Sequence, residues 1–213
     1  MSSVIVIGAG GFGREVLDVL RDQHADIRGV VDDAPSSGNL HLLEQQDVEY
    51  LGKTSELTER FSPSEVEYLI GIGDGRVRRA IDEAHSALGF TPATAVHSSA
   101  TFGHAVEIGP GAVICAGVRA TTNITLGRHV HLNLNVTVGH DVVLGSYISA
   151  NPGAAISGAV SIGEGALIGA NSFILQGVEV GADSTIGASA AVVKRVEPGT
   201  TVAGVPARLL SRR

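Results

Sequence analysis

The chain has 213 residues, which allows one large domain or two small ones. Hydrophobic residues make up 44% and charged residues 17%, so a sizeable core is possible and global disorder is excluded. The net charge of −7 argues against a general nucleic-acid binder, and the single cysteine, Cys115, excludes an intramolecular disulfide and a multi-cysteine zinc site. No apolar run approaches the roughly 18 residues of a membrane span, and the N-terminus lacks the basic region of a signal peptide. The expectation is a cytoplasmic protein without membrane insertion or metal.

The first 90 or so residues alternate strand and helix. Val4 to Ile7 is a β-branched run, expected as a buried parallel strand. Gly8 to Gly13 reads as a turn. Arg14 to about Gln23 carries Val16, Leu17, Val19 and Leu20 on one helical face. Ile27 to Val31 is a second strand, ending in Asp32 and Asp33, and the segment APSSGNLH reads as a polar loop. Val66 to Ile72 is a third strand. After it, Gly73-Asp74-Gly75 opens a helix from about Arg76 to Leu88. This order is half of a doubly wound α/β sheet.

Gly8, Gly10 and Gly13 spell G-x-G-x-x-G between a strand and a helix, with an acidic pair about 20 residues on. Glycine lets the backbone approach a phosphate, and a helix N-terminus favours an anion. Spacing alone reads as a dinucleotide site. The domain is only one mononucleotide half, however, and no part of the chain offers hydride chemistry. A sugar nucleotide fits that size better than a nicotinamide.

Beyond residue 90 the pattern changes. Every sixth residue from Val96 through Ile108, Leu126, Leu144, Ile162 and Val180 to Val192 is apolar, and the phase never slips. The next residue is often glycine, as at Gly103, Gly109, Gly127, Gly145, Gly163 and Gly181, and the fourth residue after each apolar one is often small or β-branched. No helix or flat sheet has a period of six. Stacked coils do, each hexapeptide giving a short strand and a corner. The apolar residue is expected to point into a prism, with glycine permitting the corner conformation. Were three hexapeptides to close one coil, the run would make five to six coils and a prism roughly 25 Å tall. Val113, Leu134, Val143 and Leu167 fall outside the core positions, an aliphatic excess that points to self-association.

Three motifs carry a family resemblance that covers nearly the whole chain: IGAGGFGREV at residues 7–16, NVTVGHDVVLG at 135–145 and VAGVPARLL at 202–210. In this order they resemble the sialic-acid and bacillosamine type sugar O- and N-acyltransferases, hexapeptide-repeat acetyltransferases with an N-terminal Rossmann-like domain. The resemblance implies a left-handed parallel β-helix and a homotrimer. It implies a Rossmann-like sugar-nucleotide-binding domain at 1–90, a catalytic and acetyl-CoA-binding β-helix at 91–197, and a tail at 198–213 that contributes to the coenzyme site. Gly10, Gly11 and Phe12 would line the sugar nucleotide, with Asp32 or Asp33 near the base and Gly73 and Asp74 nearby. Gly158, Ala170, Pro206 and Arg208 would border the coenzyme. Ser149, where some members carry a second histidine, is placed with them.

His140 follows Val138 by two residues, so its ring is expected outside a corner, with Asp141 beside it. An imidazole with a carboxylate neighbour suits a general base near neutral pH. His129 and His131 are rivals that could equally be solvated corner residues. Asn133 and Asn135 could form an amide ladder. Residues 194–213 carry Lys194, Arg195, Arg208, Arg212 and Arg213 against one acid, Glu197, a basic rim suited to coenzyme A phosphates. The resulting expectation is an acetyl-CoA-dependent N-acetyltransferase acting on a nucleotide-linked amino sugar, with a 4-amino-4,6-dideoxy sugar as the implied substrate class. Sugar O-acetylation and a non-catalytic sugar-nucleotide-binding trimeric scaffold are the alternatives.

Overall fold

The computed structural model describes residues 3–210. The expected contribution of Arg212 and Arg213 to a basic tail lies outside them. The chain forms two compact units, and the cut falls between Val96 and His97.

The first unit is built on three parallel strands, β1 (Ser3–Ile7), β2 (Ile27–Val31) and β3 (Val66–Ile70), in the order β2-β1-β3. Val6 pairs with Val30 on one side and Leu69 on the other. The β-branched residues are buried on both faces: Ile5, Ile7, Val31 and Ile70 join Leu51, Leu57, Tyr68 and Phe90 in one cluster. Helix α1 (Gly11–Asp22) buries Val16, Leu17, Val19 and Leu20, the face read from the sequence. It begins three residues before the expected Arg14, because Gly11 to Gly13 already turn helically. Helix α2 (Ser37–Glu44) lies in the segment read as a polar loop. Its signal was the cap: Ser36 Oγ accepts the Asn39 N–H at 3.1 Å, which offsets the poor helix propensity of Gly38 and Asn39. Two further helices follow, α3 (Leu57–Arg60) and α4 (Gly75–Ala87).

Gly13 shows why the third fingerprint glycine is required. A Cβ there would lie 1.9 Å from the Gly8 carbonyl oxygen, and one on Gly71 would lie 2.5 Å from the Gly13 Cα. Here the start of α1 meets the ends of β1 and β3 backbone to backbone.

The second unit is a parallel β-solenoid whose ladder partners are 18 residues apart. On its first face His131 pairs with Val113 and Ser149. On the second, Thr137 pairs with Arg119 and Ala155. On the third, Val143 pairs with Thr125 and Ser161. The every-sixth residues from Ile114 to Val192 are all buried inside, as are the β-branched or small residues four positions later, such as Val118, Val136 and Ala154. Each buried Ile, Leu or Val stabilises by roughly 1.5–3 kcal/mol before entropy is charged against it. Two serines enter this core and satisfy their hydroxyls locally: Ser172 Oγ donates to the Gly169 carbonyl and Ser184 Oγ to that of Gly181, both at 2.7 Å. Thr201–Ala203 extends the first face, and Arg208–Leu209 pairs antiparallel with it, so the segment expected as a separate tail is part of this unit.

The corner glycines work differently from the expectation. The left-handed conformation falls three residues after each inward apolar residue, at every sixth position from Ala105 to Ser189, with φ between 52° and 78°. Most of these positions are not glycine; they include Asn123, His129, Asp141, Tyr147 and Asn171. The glycine directly after the apolar residue is needed for space. A Cβ on Gly103 would lie 2.4 Å from the Thr121 oxygen, and one on Gly163 would lie 2.4 Å from the Ala182 nitrogen. Glycine lets successive coils stack at ladder distance where they turn.

Candidate active site

Because a coil has 18 residues, a corner presents His104, Thr122, His140, Gly158 and Gln176 in one column. The backbone locks neighbouring coils together: the Asp141 N–H donates to the Thr122 carbonyl at 3.0 Å, and the Ala159 N–H to the His140 carbonyl at 2.7 Å. His140 projects outward as expected, and its side chain is 51% exposed.

Asp141 has left-handed backbone, φ 61°, a conformation that short polar residues tolerate best. Its carboxylate turns back to its neighbour, and Oδ2 accepts from His140 Nδ1 at 2.7 Å. A carboxylate can only accept, so the Nδ1 proton is held there and Nε2 of the neutral imidazole carries the lone pair. Oδ1 of the same carboxylate accepts from Asn123 Nδ2 at 3.1 Å. The hydrogen bond from His140, then that from Asn123, holds the Asp141 carboxyl below the usual carboxylate range. Nε2 lies directly over Gly158: a Cβ on that glycine would come within 2.4 Å of it. Gly158 is buried, and its N–H has no acceptor among the described residues, while its carbonyl accepts from Gly177.

His129 and His131 are not solvated corner residues. Both are buried, and the His129 ring stacks on Tyr147 at 5.7 Å and 8°, filling space that Gly111 leaves open. Asn133 and Asn135 form no mutual ladder: Asn133 Oδ1 accepts from Leu134 N–H, and Asn135 lies against Gly117. Val113 is fully buried, so it adds nothing to an outer aliphatic surface.

Gly158 and Ala170 occupy the two corners that flank the second face. Ser149 lies on the first face, the one opposite the His140 corner, and is buried. Pro206, in a cis peptide with Val205, and Arg208 belong to the turn that ends the unit. There a groove of about 360 Å³ is lined by Lys194, Arg195, Glu197, Val202, Arg208 and Leu209. Arg195 is already engaged by two carboxylates, Glu179 at 2.7 Å and Glu197 at 3.3 Å. Among the described residues, Lys194 and Arg208 carry the open positive charge of this rim. Among the described residues no group of three or more His, Cys, Asp or Glu could hold a metal ion, and no helix is long and apolar enough to cross a membrane.

In the first unit, Gly10, Gly11 and Gly73 stand at the carboxyl edge of the sheet with open space where a side chain would be. Gly10 caps α1 and makes no side-chain hydrogen bond to its first turn. Phe12 sits half-buried in that turn. The acidic residues are occupied locally. Asp32 accepts from the Ala9 and Ala34 N–H groups, and Asp33 from Thr54 N and Oγ1. Asp74 caps α4 through the Arg76 and Val77 N–H groups. Arg78, fully buried, donates to the carbonyls of Ile72 and Gly73 and fixes the shape of that loop.

A solenoid of hexapeptides, preceded by a glycine-loop α/β unit and bearing a histidine–carboxylate pair on a corner, defines a hexapeptide-repeat acyltransferase. Comparison with known proteins narrows the class. Residues 3–84 match the PglD N-terminal domain, and residues 159–193 match the hexapeptide repeat of succinyl-transferase. The acetyltransferase domain of PglB from Neisseria gonorrhoeae is 31% identical, with a TM-score of 0.88 over 99% of this chain and 100% of that one. PerB from Caulobacter crescentus, solved in complex with CoA and GDP-perosamine, is 28% identical, with a TM-score of 0.90 over 99% of this chain and 98% of that one. GDP-perosamine N-acetyltransferase of Escherichia coli O157:H7 is 32% identical over 134 residues, 60% of this chain and 58% of that protein. The chain belongs to the hexapeptide-repeat sugar acetyltransferases that carry a PglD-type N-terminal domain.

Proposed function

We propose that the protein transfers the acetyl group of acetyl-CoA to the amino group of a nucleotide-linked amino sugar of the 4-amino-4,6-dideoxy class. The observation that carries this reading is the His140 imidazole, oriented by Asp141 with its Nε2 lone pair turned away from the carboxylate. The sugar amine attacks the thioester carbonyl carbon, His140 Nε2 takes the amine proton, the C–S bond breaks and the proton passes to the departing thiolate. The Gly158 N–H is the donor for the oxyanion. Cys115 is buried and no acyl-enzyme is required.

The glycine loops at the edge of the first unit hold the nucleoside diphosphate through backbone N–H groups. Lys194 and Arg208 meet coenzyme phosphates at the groove. N-transfer is preferred over O-transfer because the Escherichia coli relative is named a GDP-perosamine N-acetyltransferase and PerB was solved with CoA and GDP-perosamine, the nucleotide of an amino sugar. The test is incubation with acetyl-CoA and a panel of GDP-, UDP- and dTDP-linked 4-amino sugars. Mass spectrometry should find one added acetyl group on a member of the panel. No acetylated product, together with no acetyl-CoA thermal shift, would establish the scaffold reading instead.

A further inference from the structure

We infer that Asn123 is a positioning residue for the His140–Asp141 pair, acting from the preceding coil. The inference rests on the general-base reading of His140 and extends it. Asn123 and Asp141 are one coil apart, at the same left-handed corner position, with φ 55° and 61°. Nδ2 of Asn123 donates to Oδ1 of Asp141 at 3.1 Å, while Oδ2 of Asp141 receives the His140 Nδ1 proton at 2.7 Å. Each carboxylate oxygen thus has its own donor. A carboxylate on an exposed corner would otherwise rotate freely about its last bond. Held at both oxygens, it keeps one toward imidazole Nδ1 and so fixes both the ring and its tautomer.

The surroundings leave Asn123 alone in this task. The titratable group facing Asp141 is His140. The coil before contributes Thr122 and Asn123, and the coil after contributes Gly158 and Ala159; none of the four is charged. Asn123 also need not be asparagine for the fold. The same left-handed column holds Ala105 and Ala159, so alanine is accommodated at this position of the coil.

The experiment compares Asn123→Ala and Asn123→Asp with the wild type, and adds Asn123→Ala in an Asp141→Asn background. Both single variants should fold, bind acetyl-CoA normally and leave both KM values unchanged. Asn123→Ala should lower kcat about tenfold, the worth of one hydrogen bond to a charged group. In Asn123→Asp a second carboxylate faces Asp141 and favours the imidazolium, so the acid limb of the kcat/KM profile should move to higher pH. In the Asp141→Asn background Asn123→Ala should cost nothing further, since it acts only through Asp141. Wild-type kcat and an unmoved pH limb in both single variants would overturn the inference. So would a raised acceptor KM at constant kcat, which would make Asn123 a substrate contact. Loss of activity in His140→Ala alongside such a result would leave the general base standing and remove only Asn123. Full activity of His140→Ala would instead remove the base itself.

Discussion

A Cβ added to Gly158 would lie 2.4 Å from Nε2 of His140. The reactive nitrogen therefore rests on the one residue type that leaves it room. The backbone of Gly158 is not left-handed, so alanine meets no conformational penalty there, only the ring. Gly158→Ala should fold and melt within a few degrees of the wild type while kcat falls by at least about tenfold, because small misplacements of a catalytic group are costly. Combining it with His140→Ala should lower kcat no further than His140→Ala alone. Steady-state kinetics with parallel thermal melts checks this; additive losses would separate the two residues.

Removing the imidazole is the direct test of the base. His140→Ala should keep the assembly and acetyl-CoA binding, since an exposed corner side chain contributes little to the core, and turnover should fall about 10²- to 10⁴-fold. Asp141→Asn should cost less. The hydrogen bonds from His140 and Asn123 hold the Asp141 carboxyl low, so it stays ionised across the acid limb of the wild-type kcat/KM profile. A limb set by the general base should vanish in His140→Ala. An amine acceptor adds an ionisation of its own, so the comparison between variant and wild type decides.

The fingerprint glycines should divide into two kinds. Gly13→Ala would drive a Cβ against the Gly8 carbonyl oxygen and should destabilise the first unit by about 1–3 kcal/mol, read as a loss in Tm. Gly11 has open space around it, so Gly11→Leu should leave Tm nearly unchanged. It should raise the KM for the nucleotide sugar and leave the acetyl-CoA Kd nearly as in the wild type. Tight binding of NADH by the wild-type protein would contradict the acceptor role of these loops.

Leu134, Val143, Phe173, Leu175 and Val193 are all at least 38% exposed on the solenoid. So much aliphatic and aromatic surface on one unit calls for a partner. The protein should be a homotrimer, with a light-scattering mass three times that of the chain at micromolar concentration. A monomer mass would refute this.

The solenoid was legible because a period of six across seventeen hexapeptides has no rival in ordinary secondary structure. The strands of the first unit were legible because Val4–Ile7 is a β-branched run ended by Gly8, and Val66–Ile70, interrupted by Glu67, is otherwise apolar or aromatic and ended by Gly71. Other features were legible only in part or not at all. Helix α2 was hidden by Gly38 and Asn39, whose low propensity outweighed the Ser36 cap in a reading by composition. The corner glycines were located correctly but misexplained: the sequence shows where a side chain is missing, not whether dihedral angle or space excludes it. The left-handed positions are mostly Gly, Asn or Asp, but Ala, His, Tyr and Ser share them, so residue type alone does not mark the column. Asn123 escaped for the same reason. It is 17 and 18 residues from the pair it serves, and only counting back one full coil from Asp141 would have found it. Asp32 and Asp33 matched the fingerprint in position, yet their carboxylates are engaged by Ala9, Ala34 and Thr54.

The 18-residue coil makes catalytic geometry a matter of arithmetic. Asn123, the His140–Asp141 pair and Gly158 meet because the steps from 123 to 141 and from 140 to 158 are each one 18-residue revolution. A length change has two outcomes. It can bulge outward at one of the other two corners, where the ladder closes beneath it, or it can shift the phase of every residue that follows. Along this one edge of the prism, then, amino-acid exchanges are free to adjust the chemistry, while the number of residues between the participants is not.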